Sequence, residues 1–571
     1  MLVIVVWFVM PLGSHAQEKV VLPPKYKVDT KIDNMGYWRK MAELGLVTDQ
    51  PPVKGPPAIY IDSRVVTKGG LNDDSPDVPV TELASTQSEN SIAVDPNDKA
   101  VLLNSNNSGS YPNTSSIYGA NYFESEDMGA TWSGQLQGAG GGNSGDPAAV
   151  INLDGRYFIG YIDNGYGQSV SYSNNQGANW SVVKVANGSM FNMLDKNHLW
   201  VDISPVSPYK GNLYNGWMYN NQIYVSRSNT NGTSWSTSVS ISNACNAGSH
   251  NQGINFKCGP DGEAYAAWAV YDGWPADEKA VGFARSLDGG TTWQTASRII
   301  NNIRGTRTSG VGKNMRTNSF PCMAVDLGSG PTRGNIYVVW ANLGVPGTNT
   351  GASDIYMIKS TDKGLTWSSP KKINTDVSTT KQQYMPWITV DNSTGNLFVV
   401  FYDDRNCGAN DLEAWMAYSE DAGETWQDMR VSDVSFTPSP IPGLADGYMG
   451  DYLAIAAADG WVYPAWTDTR SGHAMTYVSP IQFVVPSSNL MQDGYVLNDT
   501  TFGNSNNKMD FNETITHLPS VRMHPLQKLC RFPFLMHPAT EMANSTPVKT
   551  LPCVSSPKTL DHIQPLIPLA S

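Results

Sequence analysis

The sequence predicts an all-β protein, a β-propeller of about seven four-stranded blades. Three observations predict it: a turn motif occurs six times, a glycine-led aromatic strand recurs with it, and short apolar strands precede those aromatic strands at even spacing. Six blades is the alternative count, because the last repeated unit has no copy of the turn motif.

Composition agrees with this class and excludes one kind of partner. The 571 residues include 52 glycines, and only 16% of them are charged, as in repeat-built β-proteins with many turns. The formal net charge is −13. A nucleic acid or an anionic membrane would need clustered Lys and Arg, so we expect neither as a partner.

The N-terminal residues predict export from the cell. An apolar run is followed by Ser14-His15-Ala16, a small-x-small pattern of the kind that signal peptidase cleaves, and the run is too short to span a membrane. Residues 1–16 are therefore predicted to be a signal peptide and 17–57 an N-terminal extension, so we expect a secreted or cell-surface protein. A buried N-terminal strand is the alternative interpretation.

The turn motif, which we call the box, reads S-x-D-x-G-x-T-W. Its six copies occupy residues 125–132, 173–180, 228–235, 286–293, 360–367 and 419–426. Asn175 and Thr230 replace the Asp in the second and third copies. The Asp side chain accepts backbone N–H bonds, Gly allows a left-handed backbone, and Trp buries a large ring. Because six near-identical copies suit folding better than catalysis, we interpret the boxes as structural.

Two further strands recur with each box. Aromatic strands follow a glycine turn at Gly155, Gly211, Gly262, Gly334, Gly395 and Gly460. Shorter apolar strands begin at Ser91, Pro147, Leu199, Gly253, Cys322, Trp387 and Tyr452. The unit is therefore strand A, glycine turn, strand B, loop, strand C, box, strand D.

The seventh unit ends at its third strand. Because a propeller closes its ring to hide sheet edges, we expect an N-terminal segment such as 58–67 to supply the missing outer strand, which gives a propeller over 58–485. Residues 486–515 are predicted to be a linker and the start of a truncated immunoglobulin-like module. Residues 516–571 have no strand or helix period and are predicted to be disordered.

The six cysteines form neither a disulfide framework nor a CxxC metal pair. Cys245 and Cys258 are close enough in sequence to bridge a loop, and unpaired buried thiols are the alternative. We predict no metal site and no cofactor.

The boxes, together with GNIYVVW, QYMPWITVD, FYDDRN and GDYLAIAAADGWVYPAWTDTR, resemble the sialidase-like superfamily of secreted bacterial neuraminidase-repeat, or Asp-box, proteins. The resemblance covers roughly residues 85 to 485 and implies the propeller fold. The same scaffold carries sialidases, other glycosidases, lyases and non-catalytic binding proteins.

Strand order predicts which loops share a face. The D-to-A and B-to-C loops line one face, which we call the mouth, and the boxes lie on the opposite face, the box face. The D-to-A loops contain Glu89, Asp146, Asp195, Lys196, His250, Arg316, Tyr384, Tyr448 and Asp451. The B-to-C loops contain Asp163, Tyr271, Asp272, Asp403, Asp404, Arg405, Asp468 and Arg470. Such a polar mouth suits a sugar, and side chains that only hold the channel together are the alternative.

The resemblance implies roles for these residues. Sialidases use three arginines to grip the substrate carboxylate, a tyrosine nucleophile assisted by a glutamate, and an aspartate as acid and base. The arginines would be Arg316, Arg405 and Arg470, and the nucleophile Tyr448. Glu89 or Asp146 would be the carboxylate partners, and Asp451 is a further catalytic candidate. The chain lacks the Arg-Ile-Pro tripeptide of family sialidases.

The seventh unit departs most from the repeat average. We expect its loops within Asp446 to Arg470 and the neighbouring Asp403-Asp404-Arg405 to form the centre of the pocket, with Asp468 among its residues. Asp451 or Asp404 should then bond to Arg405 or Arg470.

The hypothesis that follows is a monomeric exo-acting glycosidase of the sialidase-like kind, acting on terminal acidic sugars of glycans. A non-catalytic extracellular propeller that binds glycans or proteins is the alternative.

Overall fold

The computed structural model describes residues 28, 34–47, 72–74 and 76–483 with the exceptions of 113, 246–249, 275, 349 and 350, and then 495–498 and 514–517. Within these residues, seven four-stranded antiparallel sheets form a β-propeller. The innermost strand of each sheet contacts the innermost strands of its neighbours, and the last contacts the first, so the ring is closed. The predicted count of seven blades is confirmed.

The strands of each blade are given from the axis outwards. Blade 1 contains Ser85–Asp95, Asp98–Ser110, Tyr122–Ser125 and Ser133–Gln135, with Ile117–Ala120 added beside its second strand. Blade 2 contains Gly145–Ile151, Tyr157–Ile162, Gln168–Ser173 and Ser181–Ala186, and blade 3 contains Asp195–Val201, Leu213–Tyr219, Gln222–Ser228 and Val239–Ser240. Blade 4 contains His250–Cys258, Ala264–Tyr271, Ala280–Ser286 and Ser297–Asn301, and a 3-10 helix, Asn243–Cys245, precedes it.

Blade 5 contains Cys322–Val325, Ile336–Leu343, Ser353–Ser360 and Lys371–Lys372, and blade 6 contains Gln383–Asp391, Asn396–Asp403, Glu413–Ser419 and Gln427–Arg430. Blade 7 contains Ala454–Ala458, Trp461–Asp468, Met475–Val478 and the N-terminal segment Val78–Pro79. Ile481–Phe483 pairs with Asn72–Asp74 and with the start of Trp461–Asp468.

The ring is closed by the N-terminal part of the chain. Val78 pairs with Val478 and Pro79 with Tyr477, which completes blade 7. The segment expected to do this, 58–67, lies outside the described residues, and the strand observed is shorter and later in the chain. A proline is compatible with this place because an outermost strand needs no further N–H donor on its free side.

The boxes form the turns between the third and fourth strands of blades 1 to 6. In the fifth box, Ser360 accepts a hydrogen bond from Gly364 N at 2.9 Å, and Asp362 accepts from both the N–H and the hydroxyl of Thr366 at 2.9 and 2.5 Å. Asn175 keeps the backbone bond, from Asn179 N at 3.0 Å. The box geometry therefore survives loss of the charge.

The glycine of each box also lies close to the preceding blade. Gly290 has φ 77°, and a Cβ there would lie 2.5 Å from the ring of Tyr214 in blade 3. Because neither the backbone conformation nor the space admits a side chain, this position needs glycine on two grounds.

One α-helix, Met35–Glu43, lies on the mouth face within the described residues. Asn34 caps it by accepting from Tyr37 N at 3.0 Å, and the Asn34 amide also donates to the carbonyl of Ser144 in the loop between blades 1 and 2. Met35 joins the large buried cluster that contains Tyr448. The helix therefore covers part of the mouth.

The chain forms two compact units, Met1–Pro486 and Ser487–Ser571. In the second unit, Tyr495–Asn498 pairs antiparallel with Thr514–His517. The predictions for 486–515 and 516–571 otherwise fall outside the described residues, as does the predicted signal peptide.

Cys245 and Cys258 are both free and buried, so they do not bridge a loop. No helix in the described part of the chain is long and apolar enough to cross a membrane.

Candidate functional site

A β-bulge recurs in the inner strands of five blades. The pairing of strand A with strand B shifts by one residue at the bulge in blades 1, 2, 3, 4 and 6. The bulged residues have left-handed φ angles: Glu89 56°, Asp146 58°, Lys196 50°, Gly253 72° and Met385 54°. Bulges re-aim side chains, and a left-handed φ is unfavourable for a residue with a Cβ. Backbone strain at Glu, Asp and Lys, where glycine would serve the fold better, is typical of a functional site.

Glu89 and Asp146 form a buried carboxyl pair at successive bulges. Burial and the neighbouring carboxylates of Asp146 and Asp451 raise the pKa of Glu89 well above its ordinary value, although Lys196 opposes the shift. Ionisation of one of these carboxyl groups therefore disfavours ionisation of the other, and the two titrate as a coupled pair.

Asn107, in strand B of blade 1, connects the pair to a tyrosine. Its amide donates to Glu89 Oε2 at 2.6 Å and to Tyr448 Oη at 3.0 Å, and its carbonyl accepts from Asp146 N at 2.9 Å. Tyr448 Oη also lies 3.1 Å from Ser88 Oγ. Burial and the charge of Glu89 raise the pKa of Tyr448 well above its ordinary value, so the phenol is protonated.

Asp451 and Arg316 form an ion pair beside Tyr448. Arg316 donates two hydrogen bonds to the carboxylate, at 2.7 and 3.3 Å, and its guanidinium lies 4.9 Å from the centroid of the Tyr448 ring. Asn318 donates to the Asp451 carbonyl at 2.8 Å. The structure therefore brings together the four predicted catalytic residues, Tyr448, Glu89, Asp146 and Asp451, together with Arg316.

Lys196 is the second cation of the cluster. Its amino group lies 3.5 Å from the centroid of the Tyr452 ring, and its backbone N–H donates to Asp146 at 2.8 Å. A cavity of about 10 Å³ lies next to Lys196, Asp451 and Tyr452, enough for about one water molecule. We call Glu89, Asp146, Lys196, Tyr448, Asp451, Asn107 and Arg316 the mouth cluster.

Glycines let the blade 7 loop approach this cluster. Gly450 has φ 100°, and a Cβ there would lie 2.9 Å from Glu89 N. Gly447 has φ 71°, its carbonyl accepts from Arg316 N at 2.9 Å, and a Cβ there would lie 2.9 Å from that same nitrogen. The loop thus fits against both the carboxyl pair and the arginine only because these positions lack side chains.

The other predicted binding residues lie elsewhere. Arg405 pairs with Asp403 and with Asp428 in the outer strand of blade 6, both at 2.6 Å. Arg470 pairs with Asp468 at 2.7 Å and with Asp77, next to the outer strand of blade 7, at 2.6 Å.

The predicted partners of Asp451 and Asp404 were therefore wrong. Asp451 bonds to Arg316, and Asp404 bonds to Lys313 at 2.8 Å. Arg405 and Arg470 follow the ends of their B strands and turn towards the outer strands, whose carboxylates neutralise them. The three arginines therefore do not form one clamp. The residues predicted to form the centre of the pocket, Asp403-Asp404-Arg405 and Asp468-Arg470, lie in the outer part of the mouth instead.

Sequence reasoning missed the residues that connect the cluster. Asn107, Ser88 and Asn318 are buried polar side chains within or beside strands, and the covering helix lies in the predicted extension. The polar run NSNNSGS within a strand was the available signal, because buried amides in a strand need specific partners. In the described residues, no group of three His, Cys, Asp or Glu side chains is placed to hold a metal ion.

No protein-family model and no curated protein matches this chain. Among solved structures, an ulvan lyase of a polysaccharide lyase family matches 70% of this chain and 95% of its own, at 12% identity and a TM-score of 0.43. The α-L-arabinanase of Penicillium chrysogenum matches 59% of this chain and 92% of its own, at 12% identity and a TM-score of 0.38. A Hadza microbial sialidase matches 71% and 68%, at 14% identity and a TM-score of 0.37. These are likenesses of fold alone.

Proposed function

We propose that this protein cleaves glycosidic bonds of glycans, with the Glu89–Asp146 pair as the acid and base and Tyr448 as the nucleophile. One observation carries the proposal: two buried carboxyl groups lie at strained bulges, and Asn107 bonds to Glu89, to the backbone of Asp146 and to a buried phenol. Such an arrangement stores one exchangeable proton next to a group that can form a covalent intermediate.

The chemistry balances with these residues alone. The protonated carboxyl of the pair gives its proton to the leaving oxygen as the glycosidic C–O bond breaks. Tyr448 Oη bonds to the anomeric carbon, and its proton passes to the carboxylate of the pair, which again holds one proton. Water then attacks the anomeric carbon, the carboxylate of the pair takes a proton from this water, and the protonated carboxyl gives its proton to the departing Tyr448 oxygen, so the pair again holds one proton. Because the anomeric carbon is displaced twice, first by Tyr448 and then by water, we expect retention of configuration.

We further propose that the substrate has a terminal acidic sugar. Arg316 lies against the Tyr448 ring and Lys196 against the nearby Tyr452 ring, and Arg316 already has Asp451 as its partner. Recognition of the substrate carboxylate would therefore differ from that by three arginines. Turnover of a sialoside or a uronide in preference to a neutral glycoside is the expected result.

The test is a glycoside panel that includes a sialoside, a uronide, arabinobiose and ulvan oligosaccharides, with wild type and the variants Glu89→Gln, Asp146→Asn and Tyr448→Phe. Each variant should lose at least about a hundredfold in kcat/KM. Asp202→Asn is the matched control, because Asp202 is also a buried carboxylate of an inner-strand end but lies on the box face, where it bonds to Ser204 and Ser207. A folded wild type that turns over none of these compounds would contradict the proposal.

A second candidate is a propeller that binds a glycan or a protein without catalysis. The observation in its favour is burial: Glu89, Asp146, Tyr448 and Asp451 are between 1% and 3% exposed. Binding on a glycan array that is unchanged in Glu89→Gln, without hydrolysis, would favour this candidate.

We also propose that the protein is secreted or displayed at the cell surface, on the basis of residues 1–16. Sequencing the N-terminus of the mature protein from the culture medium tests this, and the expected first residue is Gln17.

A further inference from the structure

An axial channel runs between the inner strands on the box-face side of the bulges. Its cavity is about 110 Å³, and strands A of all seven blades contribute to its wall. The mouth cluster contributes no residue to it. Half-buried Ile203 and exposed Asn392 lie along it, so the cavity communicates with solvent on the box face.

Lys257 is the one formally charged residue among those that line this cavity. It is 9% exposed, and its amino group lies 3.1 Å from the centroid of the Trp200 ring. Among the described residues, its amino group has no hydrogen bond or ion pair. A buried ammonium group without a counter-charge is unfavourable, and the face of one indole compensates for only part of its lost hydration.

The groups that surround Lys257 offer no negative charge. His198 of blade 3 accepts from Phe256 N at 3.2 Å, and burial together with Lys257 and Lys196 lowers its pKa well below the ordinary value. Burial raises the pKa of Cys258, in its own strand, well above the ordinary value and that of Cys322, in blade 5, to about 11. At neutral pH the imidazole and both thiols are therefore uncharged.

We propose that the axial channel binds a small monovalent anion at the Lys257 amino group. The ligand class is a halide or another small monovalent anion, because the wall is mostly apolar and the cavity holds at most about ten water-sized groups. Trp200 occupies one side of the ammonium and the anion occupies the side that faces the cavity. The site is independent of the proposed glycosidase activity and lies on the other side of the bulges.

The affinity of the channel for the anion should fall as the pH rises. Burial lowers the pKa of Lys257 to about 7. The anion requires the protonated amine, so binding is strong below pH 7 and weakens about tenfold for each pH unit above it. Between pH 6 and pH 9 the affinity should fall about a hundredfold.

Bromide tests the proposal, because its anomalous scattering identifies it in crystals of the full chain. Crystals equilibrated with bromide at pH 6 should show an anomalous peak within about 4 Å of Lys257 Nζ, and the same crystals at pH 9 should lose it. Lys257→Met should lose the peak at both pH values. Lys363→Met, which removes an exposed lysine paired with Asp261, is the control and should keep it.

In solution, chloride NMR line broadening by the protein should show the same pH dependence and the same loss in Lys257→Met. The pH comparison uses the wild type alone, so it stands even where the variant fails to fold. No peak in the channel at pH 6, or a peak that persists in Lys257→Met, would overturn the proposal. Peaks confined to surface lysines would mean an adventitious ion only and would also overturn it.

Discussion

The strained residues of the mouth cluster depend on neighbours that lack side chains. Gly450 lies against Glu89 N, and this contact fixes the loop that carries Tyr448 and Asp451 beside the carboxyl pair. A side chain at position 450 would need both a left-handed backbone and space that Glu89 occupies. The geometry of the site therefore depends on a glycine that has no part in the proposed reaction.

We expect Gly450→Ala to lower the free energy of unfolding by about 3 kcal/mol, because strain and collision add. Gly211→Ala is the control: Gly211 has φ 81° but open space around its Cβ position, so strain alone should lower stability by about 1 kcal/mol. Urea unfolding of both variants measures the difference. Equal losses would show that the contact with Glu89 is unimportant.

The box aspartates make the free energy of unfolding depend on pH in the acidic range. Hydrogen bonds from the Thr366 hydroxyl and N–H lower the pKa of Asp362 from 3.8 to about 2. A lowered folded-state pKa means that the ionised form stabilises the fold above pH 4 and that this contribution is lost as the pH falls towards 2.

Asp362→Asn should therefore be less stable than wild type at pH 7, and the difference should shrink between pH 4 and pH 2. Urea midpoints measured across this range test it. Asn175→Asp is the reciprocal variant, and it should gain the pH dependence that Asp362→Asn loses. A difference that stays constant with pH would exclude the charge as its cause.

At the scale of the element, Asn34 has two roles in the helix on the mouth. It caps Met35–Glu43 and it donates to the Ser144 carbonyl. Loss of an N-cap weakens a helix by about 1 kcal/mol, or about fivefold in its equilibrium. Asn34→Ala removes both interactions, whereas Asn34→Ser keeps a capping hydroxyl and loses the bond to Ser144.

We expect Asn34→Ala to speed hydrogen exchange of the helix about fivefold and to raise turnover, because the helix covers the proposed site. Asn34→Ser should have a smaller effect on exchange of the helix. Exchange in Ile336–Leu343, a buried strand of blade 5, is the internal control. Unchanged exchange in the helix of Asn34→Ala would contradict its attachment through this residue.

The repeated elements of the fold could be predicted from the sequence. The features of the site that occur only once could be predicted only in part. Six boxes and seven apolar strands predicted the blades because each copy repeats the same local physics. Loop order also placed Glu89, Asp146 and Tyr448 on one face. The partners of Arg405 and Arg470 could not be predicted, because Asp428 lies in an outer strand and Asp77 next to another, and the position of both depends on the closed ring.

The bulges were hidden for a different reason. Local preference would place glycine or asparagine at a left-handed φ, and the chain has Glu89, Asp146 and Lys196 there. A sequence that contradicts its own local preference gives no signal until the backbone is known.

For the whole molecule, Asp77 secures the junction where the ring closes. It pairs with Arg470 at 2.6 Å; its backbone N–H donates to the Asp433 carboxylate at 2.9 Å, and its own carboxylate accepts from Asp433 N at 2.7 Å. These bonds join the N-terminal strand to blades 6 and 7.

Asp77→Ala should lower the free energy of unfolding by about 2–3 kcal/mol, because Arg470 and Asp433 lose buried partners. Asp261→Ala removes an exposed ion pair with Arg333 and should change stability by less than about 1 kcal/mol. Chemical unfolding midpoints compare the two. Equal effects would mean that Asp77 does not secure the ring.

The closed ring also sets an order of events during synthesis. Val78 pairs with Val478, so the segment that completes blade 7 leaves the ribosome 400 residues before its partner. At about 5–20 residues per second, this wait lasts about 20–80 s. Blades 1 to 6 have all their strands by then, but the first and last inner strands still have exposed faces. The nascent protein therefore remains an open arc until its last blade is made. Until then, chaperones or rapid synthesis must protect the exposed faces.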